Sequence, residues 1–236
     1  MCGRYSLDAT PEELAQVFNL SLEEVQRIFE PRYNIAPSDR VLAIRERYRG
    51  SGREPVLLKW GLIPHWARDA DWAGRTINAR AETIEAKPAF RDPFRERRCL
   101  VVATGFYEWQ KSGGRKQPYM VRREDAKPLA FAGLWDRWHG GSQDVVESCT
   151  IVTTGANETV RPIHDRMPVI LRPEDYDVWL DSKVGDPTQL RGLLEPFPDK
   201  ELTAYPVSSL VNKPANDVPE CVQPIQLSLL DPSDET

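Results

Sequence analysis

The 236-residue chain contains no apolar run approaching the roughly 18 residues of a membrane span. Its N-terminus lacks a basic stretch followed by an apolar one, so a soluble, cytoplasmic protein is expected, with no membrane among its partners. Cysteine is scarce: Cys2, Cys99, Cys149 and Cys221 are widely spaced with no CxxC pair, and only His65, His139 and His164 could complement them. That spacing argues against a zinc site, and neither a metal nor a cofactor is expected. Disulfides are disfavoured in a reducing cytosol, which leaves Cys99 and Cys149 as small core residues. A positive balance is missing too. With 31 Lys plus Arg against 36 Asp plus Glu, the net charge of −5 gives no global sign of nucleic-acid binding. No internal repeat or low-complexity linker interrupts the chain, whose length suits one large domain.

What is present is unevenly distributed. Arginines cluster in "RVLAIRERYRGSGR" (Arg40 to Arg53) and "FRDPFRERR" (Phe90 to Arg98). Two readings stay open, a local basic groove or solvated strand edges and loops. Thr10 with Glu13 and Ser21 with Glu24 have capping-box spacing, and the apolar stripes behind them predict two short helices. From Arg40 onward, short β-rich runs alternate with turn residues, and "KSGGRK" reads as a hairpin turn. Helical signals return in "RPEDYDVWL" and "DPTQLRGLL". Strands in runs with helices at the margins predict an α+β fold with mainly antiparallel sheet. The loop "PRYNIAPSDR" and the tryptophan-rich "WGLIPHWARDADWAGRTINARAET" are long and irregular, as functional segments often are.

Several polar residues stand beside strand-like runs. Glu108 interrupts the aromatic "GFYEWQ"; pointing inward it would be desolvated, with its pKa raised toward the range of acid–base catalysis, and pointing outward it would be an ordinary surface carboxylate. His164 lies between Pro162 and Pro168, titrates near neutrality, and is either a proton shuttle or a structural histidine. Asn78 and Arg80, two residues apart, would share a strand face. Trp66 is either packed or exposed as a stacking platform. Cys2 is singular: with Met1 removed it carries an α-amine and a thiol on one residue, as no internal cysteine can.

In order, "MCGRY", "RYNIAPS", "WGLIPHWA", "INARAET", "GFYEWQ" and "IHDRMPVIL" resemble the SOS response-associated peptidase (SRAP) family over nearly the whole chain, from Cys2 to about Gln226. The resemblance implies a barrel-like sheet flanked by helices, with residues 1–226 as the domain and 227–236 as an acidic tail. It also implies a monomer that senses abasic sites in single-stranded DNA and crosslinks to them as a thiazolidine through Cys2. Lyase activity and reversal of the crosslink would accompany this. The resemblance makes Glu108 the acid–base carboxylate, His164 the proton-transfer group and Asn78 the amide holding Cys2 or the lesion. It places Arg4, Asn34, Arg80 and Arg166 at the DNA, and Pro37 and Trp66 against bases flanking the lesion. The chain departs from the pattern at Ala67, where relatives can carry a second tryptophan, and at Pro88, where a basic residue can occur; Lys87 or Arg91 would substitute. The alternatives are a peptidase with Cys2 as N-terminal nucleophile and a non-covalent reader of modified bases. Near the end, "QLSLL" (Gln226 to Leu230) resembles a peptide that binds the replication sliding clamp, the other reading being a last edge strand.

Overall fold

Local side-chain chemistry starts the first helix where the sequence predicts it. Thr10 Oγ1 accepts from the Glu13 amide at 3.2 Å while Glu13 Oε2 accepts from the Thr10 amide at 2.9 Å, opening α1 (Pro11–Phe18). Ser21 caps α2 (Leu22–Ile28) through the Glu24 amide. The computed structural model describes residues 2–47, 52–140, 145–184 and 186–226. In chain order its strands are β1 (Tyr5–Leu7), β2 (Arg32–Ile35), β3 (Arg40–Glu46), β4 (Arg53–Trp60), β5 (Asn78–Arg80), β6 (Arg98–Ala103) and β7 (Gly105–Ser112). They continue with β8 (Arg115–Arg123), β9 (Leu129–His139), β10 (Val145–Gly155), β11 (Arg166–Pro168), β12 (Ile170–Leu171) and β13 (Leu202–Pro206).

β10, β4, β3, β6 and β9 form a closed five-stranded barrel. β10 closes it, antiparallel to β9 from Val145↔His139 to Ile151↔Gly133 and parallel to β4 at Cys149↔Trp60. Beyond the barrel the same strand takes β5 in parallel at Ile151↔Asn78 and β11 in antiparallel at Gly155↔Arg166. A second sheet, ordered β13-β8-β7-β1-β2, is antiparallel throughout. β7 and β8 turn through Gly113 and Gly114, whose φ of 54° and 77° suit a tight hairpin, so "KSGGRK" is the predicted turn. The chain is thus a mixed α+β domain, as predicted, and its core joins the two sheets. Tyr5 of the second sheet sets its ring edge-on to Trp60 at 5.3 Å and Phe131 at 5.7 Å in the barrel. Burying each such ring is worth about 1.5–3 kcal/mol. Cys99 and Cys149 are buried in this core, as expected.

"FRDPFRERR" is neither a loop nor a strand edge. Its first part lies in α3 (Pro88–Glu96), opened by Pro88, with Ala89, Phe90, Pro93 and Phe94 buried on one face. Arg98 is buried and donates to the carbonyls of Phe94 at 2.7 Å and Arg95 at 2.5 Å, which caps the end of α3. It also donates to Trp179 at 2.6 Å and Asp181 at 2.5 Å, at the end of α4 (Tyr176–Leu180). Of the other cluster, Arg45 is ion-paired with Glu54 and Glu147, Arg47 with Glu24, and Arg53 with Asp177. No helix of the described residues is long and apolar enough to cross a membrane. The tail 227–236 and all but Gln226 of the clamp-like peptide lie outside the described residues.

Candidate functional site

β1 carries Cys2 toward β7. Tyr5 pairs with Phe106, and the Tyr107 amide donates to Arg4 O at 2.9 Å, so the register carried on by one more residue brings Gly3 opposite Glu108. From the barrel side, Asn78 Nδ2 donates to Cys2 O at 2.8 Å. Asn78 Oδ1 is buried and has no hydrogen-bond partner among the described residues, leaving an acceptor for a donor from outside the fold. Cys2 is fully buried, and burial, followed by the negative charge of Glu108, pushes its thiol pKa up. The thiol is therefore neutral near pH 7.

Glu108 is 3% exposed, and burial pushes its carboxyl up to about 7. Of the two readings of "GFYEWQ", the inward one holds, and the pKa stands where a carboxyl can both give and take a proton. The His164 segment is tied to the same strand by Gln110 Nε2, which donates to Pro162 O at 3.1 Å. His164 Nδ1 accepts from the Arg166 amide at 3.0 Å and lies 3.0 Å from Asp165 Oδ1. Burial lowers the His164 pKa against the opposing pull of Asp165, so the neutral ring prevails near pH 7.

The predicted DNA contacts divide into two groups. Arg80 is exposed, pairs across to Thr153, and makes no side-chain hydrogen bond among the described residues. Trp66, 44% exposed, meets Trp72 edge-on at 5.0 Å, and both line a cleft of about 400 Å³ with Arg75, Asn78, Arg80 and Lys87. Trp72 is thus the second indole of the cleft, while Ala67 packs beneath, its carbonyl accepting from Trp138 Nε1 at 2.7 Å. Arg166 is engaged by Glu82 and by Thr153 O at 2.7 Å.

Arg4 and Asn34 face the other way. Arg4 Nη1 donates to Asn34 Oδ1 at 2.8 Å and to Val211 O at 2.7 Å. Asn34 is fully buried, and its Nδ2 lies within hydrogen-bond distance of the carbonyls of Val211, Lys213 and Asn216. Its polar atoms are spent inside the fold, so the geometry makes Asn34 a brace for Arg4. Asp217 completes the brace, accepting from the Asn34 amide at 2.9 Å and from Arg32. Pro37 is half-buried in the turn between β2 and β3 and does not line the cleft. Asp217 and Glu82 went unnoticed in the sequence; for Glu82 a signal was there, the alternation of Asn78, Arg80 and Glu82 in "INARAET".

A larger cleft of about 710 Å³ holds none of the predicted residues. Its arginines are already paired: Arg45 with Glu147, Arg97 with Glu96 and Asp136, Arg137 with Glu147. Among the described residues no group of three or more His, Cys, Asp or Glu is placed to hold a metal ion.

Known proteins resemble this chain over most of its length. The chain is 41% identical over 224 residues to the abasic site processing protein YoqW of Bacillus subtilis, covering 94% of this chain and 99% of that one. It is 32% identical to YedK of Escherichia coli over 95% of this chain and the whole of that one. It is 34% identical to the chicken protein HMCES over 85% of this chain and 68% of that one. A crystal structure of a Bacteroides thetaiotaomicron protein superposes with a TM-score of 0.84 at 31% identity, covering 95% of this chain and all of the other. The family model described as SOS response associated peptidase (SRAP) matches residues 1–214, and the chain belongs to that family.

Proposed function

We propose that the protein processes abasic sites in single-stranded DNA by covalent capture on Cys2 once Met1 is removed. Relatives named abasic site processing proteins support the DNA-lesion role. The observation that carries the chemistry is the meeting of three groups: Cys2 tethered by Asn78, and Glu108 buried beside them with a pKa of about 7.

The ring-opened abasic sugar presents an aldehyde. The Cys2 amine, with an ordinary pKa near 8, adds to C1′ to form a carbinolamine. Glu108 in its acid form protonates the departing hydroxyl, and water leaves to give the imine. The thiol then adds across C=N: an S–C1′ bond forms, the thiol proton passes to the nitrogen by way of the Glu108 carboxylate, and a five-membered thiazolidine closes. The net reaction loses one water. Both nucleophiles sit on one residue, so closure is effectively unimolecular. A thiol that is neutral at rest suits this order, amine first and sulfur second.

Neutral His164 moves protons around the sugar during ring opening and reversal. Arg80 and Arg166 meet phosphates, and Trp66 stacks on a neighbouring base. Strand cleavage is the side path open to an imine that does not close. The protein acts as a monomer in the cytoplasm, at the nucleoid when on DNA. Gln226 to Leu230 is the segment to test for clamp binding, with Gln226 and Leu229 changed to alanine.

The test is the mass of denatured protein after incubation with an abasic oligonucleotide, using chain whose N-terminus begins at Cys2. An adduct is expected, absent in Cys2→Ala. Cys2→Ser keeps the amine and is expected to cleave the strand without a stable product. No adduct with the native protein overturns the proposal; peptide hydrolysis instead points to the peptidase, and undiminished lesion binding by Cys2→Ala to a non-covalent reader.

A further inference from the structure

Arg166 holds a carboxylate in the place where the proposed function needs a phosphate. Its Nη1 pairs with Glu82 Oε1 and its Nη2 with Glu82 Oε2 at 3.0 Å, a two-pronged contact. The same guanidinium is fixed from behind by Thr153 O at 2.7 Å and Thr153 Oγ1 at 3.3 Å. The two partners differ in freedom: the Arg166 side chain is 14% exposed and that of Glu82 is 54%. The cation is therefore set by the fold, and the carboxylate reaches it from the solvent side. Arg166 Nε is buried and has no hydrogen-bond partner among the described residues, so the guanidinium keeps a donor that Glu82 does not use. Arg80, across Thr153 on the neighbouring strand, stands without such a cover.

We propose that Glu82 is a specificity-determining residue, a built-in stand-in for a DNA phosphate that a bound strand must displace from Arg166. A phosphate offers the same fork of two oxygens that the guanidinium already receives from Glu82. Exchange of one fork for the other yields little net affinity, so contact with an undamaged strand through Arg166 stays weak and exchangeable. The carboxylate does not give way by protonation near pH 7, since the hydrogen bond from Arg166 holds its pKa below the ordinary range. Displacement by another anion is the remaining route. At a lesion, the covalent bond to Cys2 retains the strand whatever happens at Arg166.

This inference rests on the reading that Arg166 meets a phosphate, and its test needs no Cys2 chemistry. Equilibrium binding of labelled, undamaged oligothymidylate is measured by anisotropy for wild type, Glu82→Gln, Arg166→Gln and the double variant. Glu82→Gln is expected to bind three- to ten-fold tighter, a gain that vanishes in the Arg166→Gln background. Glu85→Gln, which removes a nearby carboxylate paired with Arg191, controls for the loss of one negative charge and is expected to change binding less than two-fold. Circular dichroism checks folding, and Glu82→Ala provides a second variant with the same expected gain. Unchanged or weaker binding by Glu82→Gln, or a gain that persists without Arg166, overturns the inference. Arg166→Gln that binds as well as wild type removes the phosphate contact itself, and failure to form an adduct is a separate result that leaves this measurement standing.

Discussion

Asn78 and Cys2 meet through one hydrogen bond but come from sheets that are held in different ways. Asn78 lies on β5, which is laid against β10, a strand already committed to β9 and β4 in a closed ring. Cys2 precedes a three-residue strand whose register against β2 shifts between Tyr5 and Leu7. A closed barrel has no edge to fray, so backbone pairing alone fixes β10 and what leans on it. The short β1 has too few ladder bonds for that, and side chains do the fastening instead: Arg4, Asn34 and Asp217 bind it and its neighbour to the segment from Val211 to Asp217. Cys2 thus sits beside a strand held by replaceable polar contacts, and Asn78 on one held by the fold itself.

Three substitutions test that contrast, the largest effect first. Phe131→Ala opens a cavity where the two sheets meet, and is expected to cost about 3–5 kcal/mol in denaturant unfolding. The molecules that remain folded should form adduct at the wild-type rate. Asn34→Ala leaves three carbonyls and Arg4 short of a partner, for an expected loss of about 2–3 kcal/mol. Here adduct formation per folded molecule should slow; an unchanged rate would show that the brace does not set Cys2. Glu108→Gln carries the smallest and only pH-dependent effect. Its folded pKa of about 7 exceeds that of the unfolded chain, so in wild type this group contributes most stability at low pH and loses it as pH rises to about 7. The glutamine variant should therefore gain about 1–3 kcal/mol over wild type above that pH and nothing below about pH 4, read as Tm against pH. Its adduct rate should fall, and the alkaline decline attributed to loss of the Glu108 acid should disappear from its pH profile.

What could be read from the sequence follows the range of the forces involved. The Thr10–Glu13 box and the Gly113–Gly114 turn are local, and both stand where they were expected. Glu108 was legible as suspicious, but whether it pointed inward depended on strand register, which one strand does not specify by itself. The helix α3 was missed because Pro88, Pro93 and two arginines mask an apolar face that only Phe90 and Phe94 reveal. Asn34 looked like a ligand contact in "RYNIAPS", and nothing nearby in sequence announces that its partners begin at Val211. Barrel closure depends on β10 accepting two parallel neighbours, pairings between distant segments that no local pattern encodes.

The brace between Arg4 and Val211 spans 207 positions of chain, which gives it a meaning in time as well as in space. During synthesis, at about 5–20 residues per second, roughly 10–40 s separate the making of Arg4 from that of its fastening. Until Val211 is made, Arg4 lacks that fastening, and the first strand has only its backbone pairings to β2 and β7 to hold it. The final hold on the first-made residues is therefore set by a segment made near the end of synthesis.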